Sequence, residues 1–217
     1  LKYYPSVEAF IPEFIAAYQQ VIRELYDAGC RIVQLDDCMW GGLIDWHAHP
    51  EHIPPFVKGI DLEKSKQDFL KLNNAVIQGL PEDLVIQTHV CRGNYHSTWS
   101  NSGGYDYVAD PLFTQENVKA YFLEYDTDRA GGFEPLAKIP EGKCVVLGLV
   151  TSKSGDLEDK QTIINRINEA AKFVPLDNLC LSPQCGFAST EEGNILTEEQ
   201  QWNKIKLIKE IAEQVWA

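Results

Sequence analysis

The chain has 217 residues, 44% of them hydrophobic and 24% charged, which suits one globular domain of ordinary composition. Its formal net charge of −13 at pH 7 argues against a nucleic-acid-binding surface, because such a surface needs clustered Lys and Arg. No run of about 18 apolar residues is present, so the sequence predicts no membrane-spanning helix. We therefore expect neither nucleic acid nor a membrane among its partners.

The cysteines and the N-terminus bear on the cellular compartment. The six cysteines lack the dense spacing of a secreted disulfide scaffold, and the N-terminus has neither the basic start nor the apolar core of a signal peptide. We therefore expect a cytoplasmic protein. Cys30, Cys144 and Cys180 lie in or beside predicted strands, where we expect buried, inert thiols. Because the chain starts at Leu1 rather than at a methionine, we expect a piece of a longer polypeptide.

The first part of the chain predicts two helices and one strand. Apolar residues recur at helical spacing after Ser6 until Gly29, and an apolar run over residues 31–36 predicts a strand. A long loop rich in Gly, Pro and His is predicted from about residue 38 to residue 59. A second helix then begins at Asp61.

Helices and strands continue to alternate along the rest of the chain. Strands are predicted at 84–89, 120–124, 144–150 and 178–181, and a loop rich in Gly, Ser, Asn and Tyr from residue 92 to about residue 110. A further helix opens at Asp156 or Asp159. The last helix runs from Thr197, where a capping box with Gln200 is predicted, to near Trp216. Without repeats or a flexible linker, residues 1–217 are interpreted as a single domain.

Alternating strands and helices predict a parallel sheet, whose chemistry sits at the C-terminal ends of the strands. Every predicted strand has polar residues at or just past that end. They are Asp36 and Asp37, His89, Glu124, Thr151 and Ser152, and Cys185. Five strands do not close an eight-stranded barrel. The chain is therefore either a doubly wound sheet or the last five βα units of a (βα)8 barrel.

His89 and Cys91 are two residues apart, a spacing that places both side chains on one face of an extended segment. Imidazole and thiolate are ligands that zinc favours, and carboxylate is a common third type. Glu124 and Cys185, at two other strand ends, would complete a tetrahedral site. An isolated His-x-Cys is a weak signal, since a hydrogen-bonded histidine beside a buried cysteine is the ordinary interpretation.

Five segments in fixed order raise the specificity of this signal. They are Val33-Gln34-Leu35-Asp36-Asp37, Gln87-Thr88-His89-Val90-Cys91, Phe122-Leu123-Glu124, Gly148-Leu149-Val150 and Ser182-Pro183-Gln184-Cys185-Gly186. In these segments, which span nearly the whole chain, the sequence resembles the C-terminal portion of the cobalamin-independent methionine synthase family, especially its shorter single-barrel relatives.

The resemblance implies an α/β fold, a (βα)8 TIM barrel whose fourth to eighth strands are the five predicted here. It implies that His89, Cys91, Glu124 and Cys185 bind zinc, and that Asp36 receives the amino group of the substrate. The implied enzyme is a zinc-dependent methyltransferase. Its acceptor would be the thiol of homocysteine, giving methionine, and its donor a folate such as methyltetrahydrofolate or another small methyl compound.

Three departures from the family pattern limit what the resemblance implies. The family's synthases have a histidine after the seventh strand that passes a proton to the leaving pterin, and Ser154 stands nearest that position here. The loops after Asp37 and Cys91 are longer than in the full synthases, which suggests a different donor or acceptor. The first three barrel strands, part of the amino-acid site in the family, are missing from the chain.

Three alternatives remain open. His47 and His49 form a His-x-His motif of the kind that binds metal in amidohydrolases, which would indicate a metal-dependent hydrolase. The barrel could also hold a purely structural zinc. A barrel resembling uroporphyrinogen decarboxylase, without metal, is disfavoured by the His-x-Cys, Glu and Cys segments.

Overall fold

The computed structural model describes residues 2–216, which contain six α-helices and five β-strands. The helices are α1 (Val7–Asp27), α2 (Cys38–Ala48), α3 (Leu62–Ile77), α4 (Asp106–Gln115), α5 (Lys160–Ala170) and α6 (Glu198–Val215). The strands are β1 (Ile32–Asp36), β2 (Val85–Val90), β3 (Ala120–Glu124), β4 (Cys144–Val150) and β5 (Leu179–Pro183). Short 3-10 helices lie in the connections. Within the described residues, no helix is both long and apolar enough to cross a membrane.

Side-chain caps fix where several helices begin. Ser6 Oγ accepts a hydrogen bond from Ala9 N–H at the start of α1, as the sequence predicts. Asp159, not Asp156, caps α5. The capping box of α6 is confirmed, because Thr197 and Gln200 each accept a hydrogen bond from the other's backbone N–H.

The five strands form one parallel sheet in the order β1-β2-β3-β4-β5. In a doubly wound sheet the strand order reverses at a switch point, whereas here each strand pairs with the next one along the chain. The progressive order is that of a (βα)8 barrel, which confirms the predicted fold class. The register places Asp36 beside His89, so the C-terminal ends of the strands lie level.

The structure corrects the predicted loop between residues 38 and 59, because residues 38–48 form α2. Two adjacent glycines lower helix propensity there, but tertiary packing outweighs it. A Cβ at Gly41 would lie 2.4 Å from the backbone oxygen of Cys91, so only glycine allows this close approach. Trp40 and Leu43 are fully buried in the same helix and supply the packing that stabilises it.

Two further expectations are corrected. The loop predicted to about residue 110 ends earlier, because α4 begins at Asp106. Pro111 lies inside this helix and obscures the helical spacing of the apolar residues in the sequence. Leu112 and Phe113 are fully buried in the same helix. Cys30 and Cys144 are only half-buried and Cys180 is exposed. Side chains alternate between the two faces of β5, so Cys180 points away from the face on which Leu179 is buried.

A buried carboxyl cluster lies between α3 and α4. Asn73 Nδ2 donates to Glu116 Oε1 at 2.8 Å and also to a carboxylate oxygen of Asp37. Glu116 is fully buried, and its Oε2 has no hydrogen-bond partner among the described residues. Burial therefore raises the pKa of Glu116 from its ordinary value of 4.5 to about 8. Between pH 4.5 and about 8, the Glu116 carboxyl is therefore mostly protonated in the folded protein and mostly ionised in the unfolded chain.

We expect Glu116→Gln to make the protein more stable at alkaline pH. The stabilising contribution of a carboxyl with a raised pKa is complete below pH 4.5 and is lost as the pH rises through about 8. The stability gained by the variant should therefore grow by about 2–3 kcal/mol between pH 6 and pH 9. Urea unfolding at both values measures this, with exposed Glu141→Gln as control. An equal gain in stability at pH 6 and pH 9 would contradict a raised pKa of Glu116.

Candidate metal centre

Four side chains meet at the C-terminal edge of the sheet. His89 lies near the end of β2, Cys91 directly follows that strand, Glu124 ends β3 and Cys185 follows β5. One ligand atom from each lies within 4.8 Å of the ligand atoms of the other three. The first three residues are buried and Cys185 is half-buried. Residues up to 96 positions apart in the sequence are thus gathered because parallel strands end at one edge.

The chemistry of these four groups suits a zinc ion. His89 Nε2 is buried, has no hydrogen-bond partner among the described residues, and lies 3.8 Å from Glu124 Oε1. A buried nitrogen without a partner is unfavourable unless a ligand such as a metal ion binds it. One imidazole, two thiolates and one carboxylate form a ligand set that zinc accepts. The residues present therefore fit the metal that the sequence predicts.

The sulfur atoms of the two cysteines in the cluster lie within 4.8 Å of each other. Their interaction raises the pKa of Cys91 and lowers the pKa of Cys185, because the two neighbouring groups share one proton more readily than they both lose one. A divalent cation at the centre would replace that proton and allow both groups to be thiolates. Metal binding would therefore be coupled to proton release at this site.

Glu124 is held by a shell of hydrogen-bond donors. Its Oε1 accepts from the backbone N–H of Arg92 at 2.7 Å, and its Oε2 accepts from Arg129 Nη2 at 3.1 Å and from Gln184 Nε2 at 3.3 Å. Its own backbone N–H donates to the hydroxyl of Tyr105 at 2.9 Å. Burial raises the pKa of Glu124, and the neighbouring N–H groups and guanidinium oppose that rise. The carboxylate is therefore oriented before any metal arrives.

Gln184 connects the centre to the end of β4. Its Oε1 accepts hydrogen bonds from the backbone N–H and the hydroxyl of Ser152, at 2.7 and 2.6 Å, while its Nε2 reaches Glu124. Gly148 makes this approach possible, because a Cβ there would lie 2.7 Å from Cα of Gln184. Gln184 is thus a positioning residue that ties Glu124 and the Cys185 segment to the sheet.

We expect Gln184→Met to lower zinc affinity roughly 10–100-fold, the usual cost of losing a partner that orients a metal ligand. The substitution keeps the side-chain length but removes the bonds to Glu124 and Ser152. Competition with a chromophoric chelator measures the affinity. Gln161→Met, on the exposed face of α5, serves as control. An unchanged affinity would mean that Gln184 does not position the ligands.

Ser154 forms its side-chain hydrogen bond within the loop after β4. The Ser154 hydroxyl donates to Asp156 Oδ2 at 3.0 Å within its own exposed turn. Lys153 instead extends toward the Cys91 segment, where its Nζ donates to the carbonyl of Gly93 at 3.1 Å and to the side-chain oxygen of Asn94. Lys153 therefore brings a positively charged side chain from this loop to the Cys91 segment. Burial lowers the pKa of its ammonium group.

A cavity of about 360 Å³ opens beside the cluster. His89 and Cys185 line it together with Asp36, whose carboxylate is exposed at the end of β1. The sequence-predicted substrate contact thus shares one cavity with two of the four predicted ligands. The cavity has room for a small amino acid between these groups.

The histidines of the rival His-x-His motif lie elsewhere. His47 stacks on the ring of Tyr107, with 3.8 Å between ring centroids, and His52 Nδ1 pairs with Asp45 at 2.8 Å. Within residues 2–216, neither these two nor His49 belongs to a group of three potential metal ligands. The described residues therefore contain no amidohydrolase-like metal site at this motif.

Several residues of the site were not singled out from the sequence. Gln184 and Arg92 stand next to predicted ligands, and their adjacency is the only sequence signal for their role. Arg129 has no such signal, because it comes from a 3-10 helix and reaches Glu124 only in the folded chain. Lys153 is next to Ser154 in the sequence, and nothing in the sequence shows that its side chain reaches the Cys91 segment.

Comparisons with known proteins find similar sequences. The family described as "Cobalamin-independent synthase, Catalytic domain" matches residues 6–213. The uncharacterized protein YxjH of Bacillus subtilis (strain 168) is 47% identical over 214 residues, which make up 98% of this chain and 56% of that protein. The chain thus spans little more than half the length of that relative.

Two solved structures share the fold. A putative vitamin-B12-independent methionine synthase from Listeria monocytogenes superposes with a TM-score of 0.76 at 36% identity, covering 98% of this chain and 57% of that one. A B12-independent methionine synthase from Shewanella sp. W3-18-1, in complex with selenomethionine, gives a TM-score of 0.72 at 22% identity, covering 98% and 56%. The match to the family covers nearly the whole chain, so the chain belongs to the cobalamin-independent methionine synthase family, within its catalytic domain.

Proposed function

We propose that this chain carries the metal centre of a zinc-dependent methyltransferase whose acceptor is the thiol of homocysteine and whose product is methionine. The observation that carries the proposal is the convergence of His89, Cys91, Glu124 and Cys185 beside the cavity that Asp36 lines. Membership of the family supports the same reaction class.

The four clustered residues would hold the metal, and Arg92, Arg129 and Gln184 would keep Glu124 in place. When bound, zinc supplies the Lewis acidity that keeps a coordinated thiol deprotonated at neutral pH, where a free thiol of pKa about 8.5 is mostly protonated. The thiolate form is the nucleophile that methyl transfer requires. The protein contributes a largely buried ligand cluster, because three of the four ligand residues are buried.

Asp36 would bind the ammonium group of the amino acid. Its carboxylate is exposed in the cavity and stands beside His89 in the sheet register, so an amino acid held there directs its side chain toward the cluster. The Shewanella relative is described in complex with selenomethionine, the selenium analogue of the proposed product. That complex supports the binding of an amino acid by a protein of this fold.

The donor would be methyltetrahydrofolate or another small methyl compound. The loop after β4 has no histidine, and Ser154 faces Asp156 rather than the cavity. We therefore expect one of two kinds of donor. Either its leaving group needs no proton from that position, or the Lys153 ammonium supplies the proton.

Conversion of homocysteine to methionine tests the proposal. The zinc-loaded full-length polypeptide is incubated with homocysteine and a donor carrying a ¹³C methyl group, and the product is identified by mass spectrometry. Methyltetrahydrofolate and a series of small sulfur- and nitrogen-methyl compounds serve as donors. Labelled methionine with any of them supports the proposal. Failure with all of them, in a protein that binds zinc and homocysteine, would reject methyl transfer to this thiol.

A further inference from the structure

A second group of potential metal ligands lies next to the first. One ligand atom each of Asp36, Cys38 and Cys91 lies within 4.8 Å of the other two. Asp36 ends β1 and Cys38 begins α2, and both are exposed, whereas Cys91 is buried. The two groups share Cys91, which therefore stands between an inner ligand set and an outer one.

The backbone fixes Cys38 in this position. The N–H of Asp37, the residue before it, donates to the carbonyl of His89 at 2.8 Å. Three residues after it, Gly41 packs so closely on the carbonyl of Cys91 that a Cβ would not fit. Cys38 is thus anchored on both sides to the end of β2. Its closeness to Cys91 follows from the path of the chain rather than from a side-chain rotamer.

We propose that Asp36, Cys38 and Cys91 form an outer binding position for a thiophilic divalent cation such as Zn²⁺ or Cd²⁺. Two thiolates and a carboxylate are zinc ligands, and three protein ligands leave one coordination position for water. Cys91 would bridge the two positions when both are filled. The outer position has fewer protein ligands and is more exposed than the inner one, so it binds more weakly and exchanges its ion with solvent.

Two consequences distinguish this position from the inner centre. Binding replaces the thiol proton of Cys38, which is released to solvent. The outer cation also occupies Asp36, the group assigned above to the substrate ammonium. Excess zinc should therefore compete with homocysteine. This inference rests on the proposed inner metal site but does not depend on methyl transfer.

A cadmium titration tests the proposal. The reduced, metal-free full-length polypeptide is titrated with Cd²⁺, and binding is followed by thiolate-to-cadmium absorbance and equilibrium dialysis. The wild type should bind one ion tightly and a second more weakly at this site. Cys38→Ser should lose the second ion and keep the first. Cys30→Ser, at the opposite end of β1, is the matched control and should bind both.

Asp36→Asn provides an independent readout, since it should weaken only the second step, by at least about tenfold, if the carboxylate is a ligand. Circular dichroism establishes that each variant is folded. If Cys38→Ser does not fold, the binding of the second ion by Asp36→Asn tests the outer position. A wild type that saturates at one ion, or a second ion that survives Cys38→Ser, would overturn the outer position. A Cys38-dependent second ion in a protein without methyl transfer would reject the proposed function and leave this inference standing.

Discussion

Replacing Cys91 or Cys185 with serine is expected to abolish stoichiometric zinc binding. Each substitution removes one of only two thiolates in the cluster, and the serine hydroxyl stays protonated at neutral pH and is a poor zinc ligand. Loss of a residue that hydrogen-bonds to a metal ligand already lowers metal affinity about 10–100-fold. Loss of a ligand itself should therefore lower zinc affinity at least about 100-fold. The zinc content after gel filtration measures the stoichiometry, and competition with a chelator measures the zinc affinity.

A matched control is available on β5. Cys180 is exposed on the strand that leads to Cys185, and its sulfur is not part of the cluster. Cys180→Ser should therefore retain one zinc per chain at wild-type affinity. If either cluster variant also bound zinc at full strength, the four-ligand site would be wrong.

Asp36→Asn should leave inner-site zinc unchanged and weaken homocysteine binding about 10–100-fold. Asparagine keeps the shape of the side chain but removes the charge that faces the ammonium group, and a hydrogen bond to a charged group contributes about 1.5–3 kcal/mol. Calorimetric titration of protein loaded with one zinc per chain measures the effect. At this loading the proposed outer position is empty, so the two roles of Asp36 are separated.

The control for this substitution is Asp177→Asn, an exposed carboxylate just before β5 at the opposite end of the sheet. It should change neither zinc nor homocysteine binding. Loss of zinc in Asp36→Asn would mean that Asp36 serves the inner centre. Unchanged homocysteine affinity would mean that the amino group binds elsewhere.

The strands and their end residues were predictable because both signals are local. β3 and β4 match the predicted ranges, since short apolar runs bounded by polar residues encode buried parallel strands. Once a parallel sheet is inferred, residues at the strand ends must share an edge, which places His89 near Glu124. The geometric convergence of the candidate ligands was therefore accessible from the sequence.

What the sequence did not reveal depends on contacts between distant segments. The glycines at 41 and 42 predict a loop, and only the closeness of the Cys91 carbonyl explains why a helix with glycine is favoured there. Because that helix was missed, Cys38 was interpreted as the start of a loop and not as a neighbour of Cys91. Arg129 and Gln184 likewise acquire their roles only when β3, β4 and β5 lie side by side.

The most direct test of the central claim is the zinc-edge X-ray absorption of the purified full-length polypeptide, with metal content measured on the same sample. At one zinc per chain, we predict two sulfur ligands from Cys91 and Cys185, and one additional sulfur ligand when homocysteine is added. An unchanged zinc coordination after addition of homocysteine would indicate a closed structural site. Absence of bound zinc in a folded protein would contradict the metal centre itself.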